Sequence, residues 1–242
     1  AAHRLDPSRP ISNAICSYWS GLDDELNEEN FQKILAEISG EAASVQNADT
    51  GKNDTSWEEY SEAFTNGLDI VGYNYMEDKY PLDHEMFPER VILGSENYPK
   101  EIGMRWPMVE ATPYVIGDFT WTAYDYIGEA GIGKSVFLDP DDPLLKMGPF
   151  ALMSHSSAFS WRLANDADVD INGGLLPQGA YRSIVWGSDK TYLYSYDPSV
   201  FGKTELISSW GFTDVTKNWN WKDADHKPVQ VAVFSNGDEV EL

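Results

Sequence analysis

The chain has 242 residues, 42% of them hydrophobic, and carries 17 Lys and Arg against 40 Asp and Glu for a net charge of −23. There is material for one large domain or one and a half smaller ones, and the acidic field repels phosphate backbones and anionic bilayers, so neither nucleic acid nor membrane is an expected partner. A single cysteine, Cys16, excludes an internal disulfide, no apolar run approaches a membrane span, and the Ala1-Ala2-His3-Arg4 start has no signal-peptide core. The compartment stays open, with the cytoplasm favoured over secretion, since any signal peptide would lie upstream of this sequence. Nine Trp, thirteen Tyr and ten Phe exceed what a core alone requires. Flat apolar faces with polar edges suit sugar rings, which makes the excess a pointer to carbohydrate.

In chain order, Leu5 to Pro10 is too proline-rich for a helix interior, and Ile11 to Ile15 reads as a short strand. Phe31, Ile34, Leu35 and Ile38 follow helical spacing with Gly40 as the stop. After a polar loop from Gln46 to Asp54, Thr55-Ser56-Trp57-Glu58 has a capping-box pattern. It opens a helix carrying Trp57, Tyr60 and Phe64 that Asn66-Gly67 ends. The runs 68–75, 90–96 and 114–122 read as further strands. All are short and continuously apolar rather than alternating, as in parallel strands buried on both faces. Strands spaced by helices make an α/β fold of β/α units. From about Ser188 the texture alternates, in Thr191 to Tyr196 and in Val229 to Phe234. Asn236-Gly237 then predicts a hairpin to Glu239–Leu242, and this part reads as an antiparallel sandwich. Four β/α strands do not close a barrel, which needs eight. The pattern is either a small open sheet or a piece of a longer enzyme.

Two motifs are decoys. Gly128-Glu129-Ala130-Gly131-Ile132-Gly133-Lys134-Ser135 satisfies the phosphate-loop spacing, but that chemistry needs a helix to follow. Asp139-Pro140-Asp141-Asp142-Pro143 precludes one and repels phosphate. Asp168-Val169-Asp170-Ile171-Asn172-Gly173 begins like a calcium loop, yet the bidentate Glu of its twelfth position falls on Gly179. The histidines show no metal-binding spacing, no G-x-S-x-G elbow occurs, and no Lys ends an expected strand. No metal and no cofactor are expected, and Cys16 reads as a buried structural thiol.

Carboxylate chemistry remains. Glu96 ends the apolar strand Val91-Ile92-Leu93-Gly94-Ser95, where in a β/α barrel the catalytic residues sit. Read structurally, it is a Glu in an ordinary strand exit. Asn74 and Tyr75 end the preceding strand and Trp121 the next. A carboxylate, a carboxamide, a phenol and an indole at adjacent strand ends suit a sugar: one attacks, two hold hydroxyls, one gives a stacking floor.

The runs Leu68 to Asp78, Ile92 to Glu96, Val115 to Tyr126 and Gly128 to Gly133 closely resemble the sixth to eighth barrel strands of the family 2 glycoside hydrolases of β-galactosidase type. Pro177 to Trp186 resembles that family's last barrel helix. Trp210-Gly211, Asn218-Trp219-Asn220-Trp221 and Val233-Phe234-Ser235-Asn236 resemble its following sandwich. The resemblance implies the C-terminal half of a (β/α)8 TIM barrel over residues 1–187 and a partial immunoglobulin-like β-sandwich over 188–242. It implies a retaining glycosidase with Glu96 as nucleophile, Tyr75 supporting it, Asn74 and Trp121 binding the sugar, a β-galactoside substrate and a bacterial source. In the family the acid/base Glu precedes the Asp6-Pro7-Ser8-Arg9-Pro10 segment, so the chain is expected to be a fragment, inactive alone. Glu77, Asp78, Asp118, Asp125 and Glu129 are acidic loop residues that nothing in the sequence marks as a substitute acid. Two exposed sheet edges invite self-pairing, so a homo-oligomer is a further expectation. The alternatives are a non-catalytic carbohydrate-binding protein, a β-glucuronidase or β-mannosidase of the same family, and a nucleotide binder. The Asn-x-Lys spacing that grips uronic acids in glucuronidases occurs only at Asn220-Trp221-Lys222, outside the barrel runs, which leaves galactosides as the leading choice.

Overall fold

A computed structural model describes residues 2–16, 57–149, 152, 162–222, 224 and 227–241. The helix expected through Phe31, Ile34, Leu35 and Ile38, and the Thr55-Ser56 start of the capping box, lie outside these residues. The chain divides into two compact units, residues 1–97 with 109–119, and residues 98–108 with 120–242. No helix among the described residues is long and apolar enough to cross a membrane.

The first unit is built on a four-stranded sheet of β1 (Ser12–Ile15), β2 (Ile70–Asn74), β3 (Ile92–Asn97) and β4 (Val115–Thr120), in the order β1-β2-β3-β4. β1 and β2 pair in parallel, as do β2 and β3. All four strands fall within the runs expected from sequence or extend them by one residue. Ile15, Val71, Tyr73, Ile92 and Val115 are buried, joined by Met76 and Tyr80 from the turn and helix after β2. The helix Trp57–Thr65 precedes β2, and Asn66 with Gly67, at φ +85°, ends it as the Asn-Gly pair predicts.

A buried polar network anchors these helices. Arg90 Nη1 donates to Asp83 Oδ1 at 2.6 Å and to Ser61 Oγ at 3.0 Å, while the Trp57 indole donates to the same Asp83 oxygen at 3.1 Å. Asp83 and Ser61 are fully buried, and the Arg90 guanidinium lies 3.4 Å from the Phe87 ring centroid. A buried pair is strongly destabilised when one partner is lost, because the other charge stays uncompensated.

In the second unit β5 (Ser135–Leu138) pairs antiparallel with β7 (Thr204–Ile207), and β6 (Tyr192–Ser195) pairs antiparallel with β8 (Val231–Phe234). The helix Pro177–Val185 packs its Ala180 with Tyr194 and Val215, edged by Tyr192, Tyr196, Ala232 and Phe234. The sequence expected β8 to turn at Asn236-Gly237 into a strand over 239–242. Instead β8 pairs with β6, and residues 238–241 are not strand. The Asn236 carboxamide donates to the backbone oxygens of Ile184, at 2.9 Å, and Ser188, at 3.0 Å, satisfying carbonyls at the end of the helix rather than closing a hairpin.

The phosphate-loop match is a turn that leads into β5, not into a helix, which removes the nucleotide reading. In the calcium-like loop the Asp168 carboxylate is taken by Arg182 Nε at 2.6 Å. Asp170 Oδ1 accepts from the backbone N–H groups of Asn172 and Gly174, closing a turn. Replacing Asp83 by Ala should lower the unfolding free energy by about 3–5 kcal/mol. A shift in denaturation midpoint well below that would mean the network is not what anchors the helices.

Candidate functional site

The ends of β2 and β3 carry one cluster of the expected residues. The pairing runs Val71 with Ile92, Gly72 with Leu93 and Tyr73 with Gly94, then shifts so that Asn74 faces Glu96. Ser95 is the extra residue of this bulge. In regular register Asn74 would stand beside Ser95, so the bulge is what brings a carboxylate beside the Asn. Asn74 Nδ2 donates to Glu96 Oε2 at 3.1 Å, and Tyr75 Oη donates to Glu96 Oε1 at 2.6 Å. Ser95 Oγ donates to Asn74 Oδ1 at 2.8 Å, which turns the amide so that its N–H2 end meets Glu96. Three of the four residues expected at the site thus meet in one cluster.

Tyr75 reaches Glu96 through an unusual backbone. Its φ is +55°, a left-handed conformation that bulky residues rarely adopt, and its N–H donates to the Glu96 carbonyl at 2.9 Å. The reversal turns the phenol back over β3. Behind β3, Asn97 donates to Asp118, and a Cβ on Gly94 would meet Asn97 Nδ2 at 2.4 Å and Asp118 Oδ1 at 2.9 Å. A side chain at Gly94 would have to displace this hydrogen-bonded pair. Asp118 is therefore engaged, and Asp78 is paired with Lys79 at 2.9 Å.

Trp121, the fourth expected residue, lies in the second unit among neighbours of its own. Its indole N–H donates to Tyr126 Oη at 3.2 Å, with the rings edge-on and their centroids 6.1 Å apart. Tyr126 in turn donates to the Glu129 carboxylate. Burial and that bond push the Tyr126 phenol up from its usual range, so it stays a donor. Asp125 Oδ1 accepts the backbone N–H groups of Tyr126 and Asn165. Asp125 and Glu129, expected as unassigned acidic loop residues, are thereby positioning groups for the segment that follows Trp121.

Sequence reading passed over Ser95, Tyr126 and Asp166. Asp166 is fully buried, and among the described residues neither carboxylate oxygen has a hydrogen-bond partner by geometry. Burial, reinforced by Asp125, pushes its carboxyl up to about 7. Nothing in the local pattern Asn165-Asp166-Ala167 marks this Asp as unusual, because its burial is tertiary.

No family model and no curated protein matches the chain. Fifteen chains of solved structures do. One is a glycosyl hydrolase family 2 member from Bacteroides cellulosilyticus, solved from microfluidic crystals. It is 28% identical with a TM-score of 0.56, over 88% of this chain and 26% of its own. Another family 2 member, from Bacteroides cellulosilyticus DSM 14838, is 22% identical with a TM-score of 0.55, over 96% of this chain and 21% of its own, a likeness of fold. The chain thus spans 26% and 21% of the lengths of these two structures. The likeness supports a relationship to glycosyl hydrolase family 2.

The buried Asp166 makes stability depend on pH. Its pKa in the fold lies above the ordinary 3.8, so the folded chain holds a proton there that the unfolded chain releases. The stability this gives is complete below the unfolded value and is lost as pH rises towards about 7. Every factor of ten in proton affinity between the two states is worth about 1.4 kcal/mol, so the loss amounts to a few kcal/mol. Thermal melts of wild type and Asp166→Asn at about pH 5 and about pH 8 check it. The wild type should lose more stability than the variant on going to the higher pH, and parallel losses would contradict a buried protonated Asp166.

Proposed function

We propose that this chain is the nucleophile-bearing part of a retaining family 2 β-galactosidase, with residues 1–187 as the C-terminal half of its barrel and 188–242 as part of a sandwich. The observation that carries the proposal is the Glu96 carboxylate held at adjacent ends of parallel strands by one donor on each oxygen, Tyr75 Oη and Asn74 Nδ2. A carboxylate has about four lone-pair sites, so two remain for attack while both oxygens are fixed in orientation.

In the reaction proposed, a Glu96 oxygen attacks the anomeric carbon of a bound β-galactoside and displaces the aglycone oxygen. A second carboxylic acid, supplied by the remainder of the enzyme, protonates that oxygen as it leaves. The product is a glycosyl ester on Glu96, and water activated by the same second carboxylate then releases galactose with retained configuration. The fixed donors stabilise the carboxylate as it is regenerated on hydrolysis of the ester. Trp121, oriented by its bond to Tyr126, offers the indole face as the sugar floor. The Trp221 indole donates to Ser195 Oγ at 3.1 Å within the β6–β8 region, an arrangement that supports a structural place for Asn220-Trp221-Lys222 and so a neutral sugar over a uronic acid.

Hydrolysis of a nitrophenyl β-galactoside by the full-length protein tests the reading. Glu96→Gln should lower kcat by roughly 10³-fold or more, since it removes the attacking group. Tyr75→Phe should lower kcat roughly 10–100-fold, the worth of one hydrogen bond to a charged group. An active Glu96→Gln variant would remove the nucleophile assignment. Loss of activity in that variant on a glucuronide or mannoside, with no galactoside turnover in the wild type, would keep the nucleophile and replace the substrate.

A further inference from the structure

A cavity of about 190 Å³ lies within the second unit, between the start of the helix Pro177–Val185, the start of β5 and the segment Phe212–Val215. None of the residues at the Glu96 cluster lines it. Volume at about 30 Å³ per water allows roughly six waters, below the range of about 300–1,000 Å³ that takes drug-sized ligands. The occupant is therefore small.

The polar groups of the wall divide into committed and uncommitted. Ser135 Oγ donates to Glu205 Oε1 at 2.5 Å, Thr213 Oγ1 donates to Glu205 Oε2 at 2.7 Å, and the Asp214 N–H donates to Glu205 Oε1 at 2.6 Å. Glu205 thus holds three donors and builds the wall rather than lining the space. The uncommitted groups are the Gln178 carboxamide, the Asn165 carboxamide and the Asp214 carboxylate, which make no side-chain hydrogen bond among the described residues. Gln178 is the telling one. It is 5% exposed and lines the cavity, so a ligand there would take the place of water at its carboxamide.

The geometry behind these groups is tight. A Cβ on Gly133 would meet the Asn165 backbone oxygen at 2.3 Å, and one on Gly179 would meet that of Asp168 at 2.4 Å. Glycine at both positions lets the β5 approach and the helix start close on the same backbone segment, which fixes the cavity walls. Leu176 gives the helix no side-chain cap, so its first N–H groups also look for acceptors. On the far wall, the Phe212 ring packs with Tyr181 and Phe234, at 5.7 and 5.9 Å between centroids, and supplies an apolar surface.

Charge selects among small ligands. A helix start favours an anion, but the Asp214 and Glu205 carboxylates oppose one, and among the described residues no Lys or Arg lines the cavity. A cation would meet the positive end of the helix and two amide groups. A neutral ligand that donates to a carboxylate, exchanges both kinds of bond with carboxamides and lays C–H groups on an aromatic ring satisfies every wall. We propose that this cavity is a binding site for one neutral sugar ring, separate from the Glu96 cluster and independent of whether Glu96 is a nucleophile. Asp214 accepts from vicinal hydroxyls, Gln178 and Asn165 donate and accept, and Phe212 faces the ring's C–H side.

The test is an NMR titration of the full chain with D-galactose, D-glucose, glycerol and inorganic phosphate, read at the Gln178 side-chain amide and the Thr213 to Val215 backbone amides. Saturable shifts with a hexose, weaker ones with glycerol and none with phosphate are expected. Gln178→Leu and Asp214→Ala should each raise the hexose Kd about 3–10-fold, the loss of one or two hydrogen bonds. Asp214 is exposed on its backbone segment, so Asp214→Ala keeps the test open if Gln178→Leu fails to fold. No shift at these amides with any sugar would overturn the proposal. So would a response to phosphate in place of hexose, or a hexose response unchanged in a folded variant. Hydrolysis by Glu96 plays no part in the readout, so failure here and failure of the galactosidase reading are distinguishable.

Discussion

The register shift between Tyr73 and Asn74 is the constraint on which the candidate catalytic cluster depends. One extra residue, Ser95, sets Asn74 opposite Glu96 instead of opposite a serine, and the displaced Ser95 hydroxyl then fixes which end of the Asn74 amide meets the carboxylate. The left-handed backbone at Tyr75 completes the cluster by folding the phenol back onto the other carboxylate oxygen. Strain of this kind costs on the order of 1–3 kcal/mol and persists only where the surroundings over-determine it. Here the surroundings are two paired strands and the part-buried Asn97–Asp118 hydrogen bond beside Gly94.

The second unit treats its acidic groups in three different ways. Glu205 takes three donors, Asp168 is matched by Arg182, and Asp166 has no side-chain hydrogen-bond partner among the described residues and is driven towards its neutral form. A chain with a net charge of −23 folds by distributing its carboxylates in this way, since unpaired charge cannot be left in the interior. Around Trp121 the same economy appears as a relay, indole to phenol to Glu129, that orients an aromatic face without burying an unsatisfied group.

How much of this was legible follows from which forces act locally. The four strands of the first unit were readable because strands buried on both faces need unbroken apolar runs, and Ile11–Ile15, Leu68–Tyr75, Arg90–Glu96 and Tyr114–Thr122 contain them. Glu96, Tyr75 and Asn74 were readable as strand-end polar residues, but the bulge that joins them was not. A one-residue slip confined to the last pair leaves the apolar pattern unchanged. The Asn236-Gly237 hairpin was misread because turn chemistry is local, whereas Asn236 is claimed by carbonyls some fifty positions earlier, at Ile184 and Ser188. Asp166 and Gln178 carry no sequence signal at all, as burial by distant segments is what makes them unusual.

The proposed mechanism turns on the identity of the group that attacks the sugar. Incubating the full-length protein with a 2-deoxy-2-fluoro-β-galactoside bearing a good leaving group, then mapping peptides by mass spectrometry, finds that group. The fluorine slows both formation and hydrolysis of the glycosyl ester, and the good leaving group speeds formation alone, so the ester accumulates. A fluorogalactosyl adduct on Glu96, absent from Glu96→Gln, is the expected result. An adduct on any other carboxylate, or rapid turnover by Glu96→Gln, would contradict it.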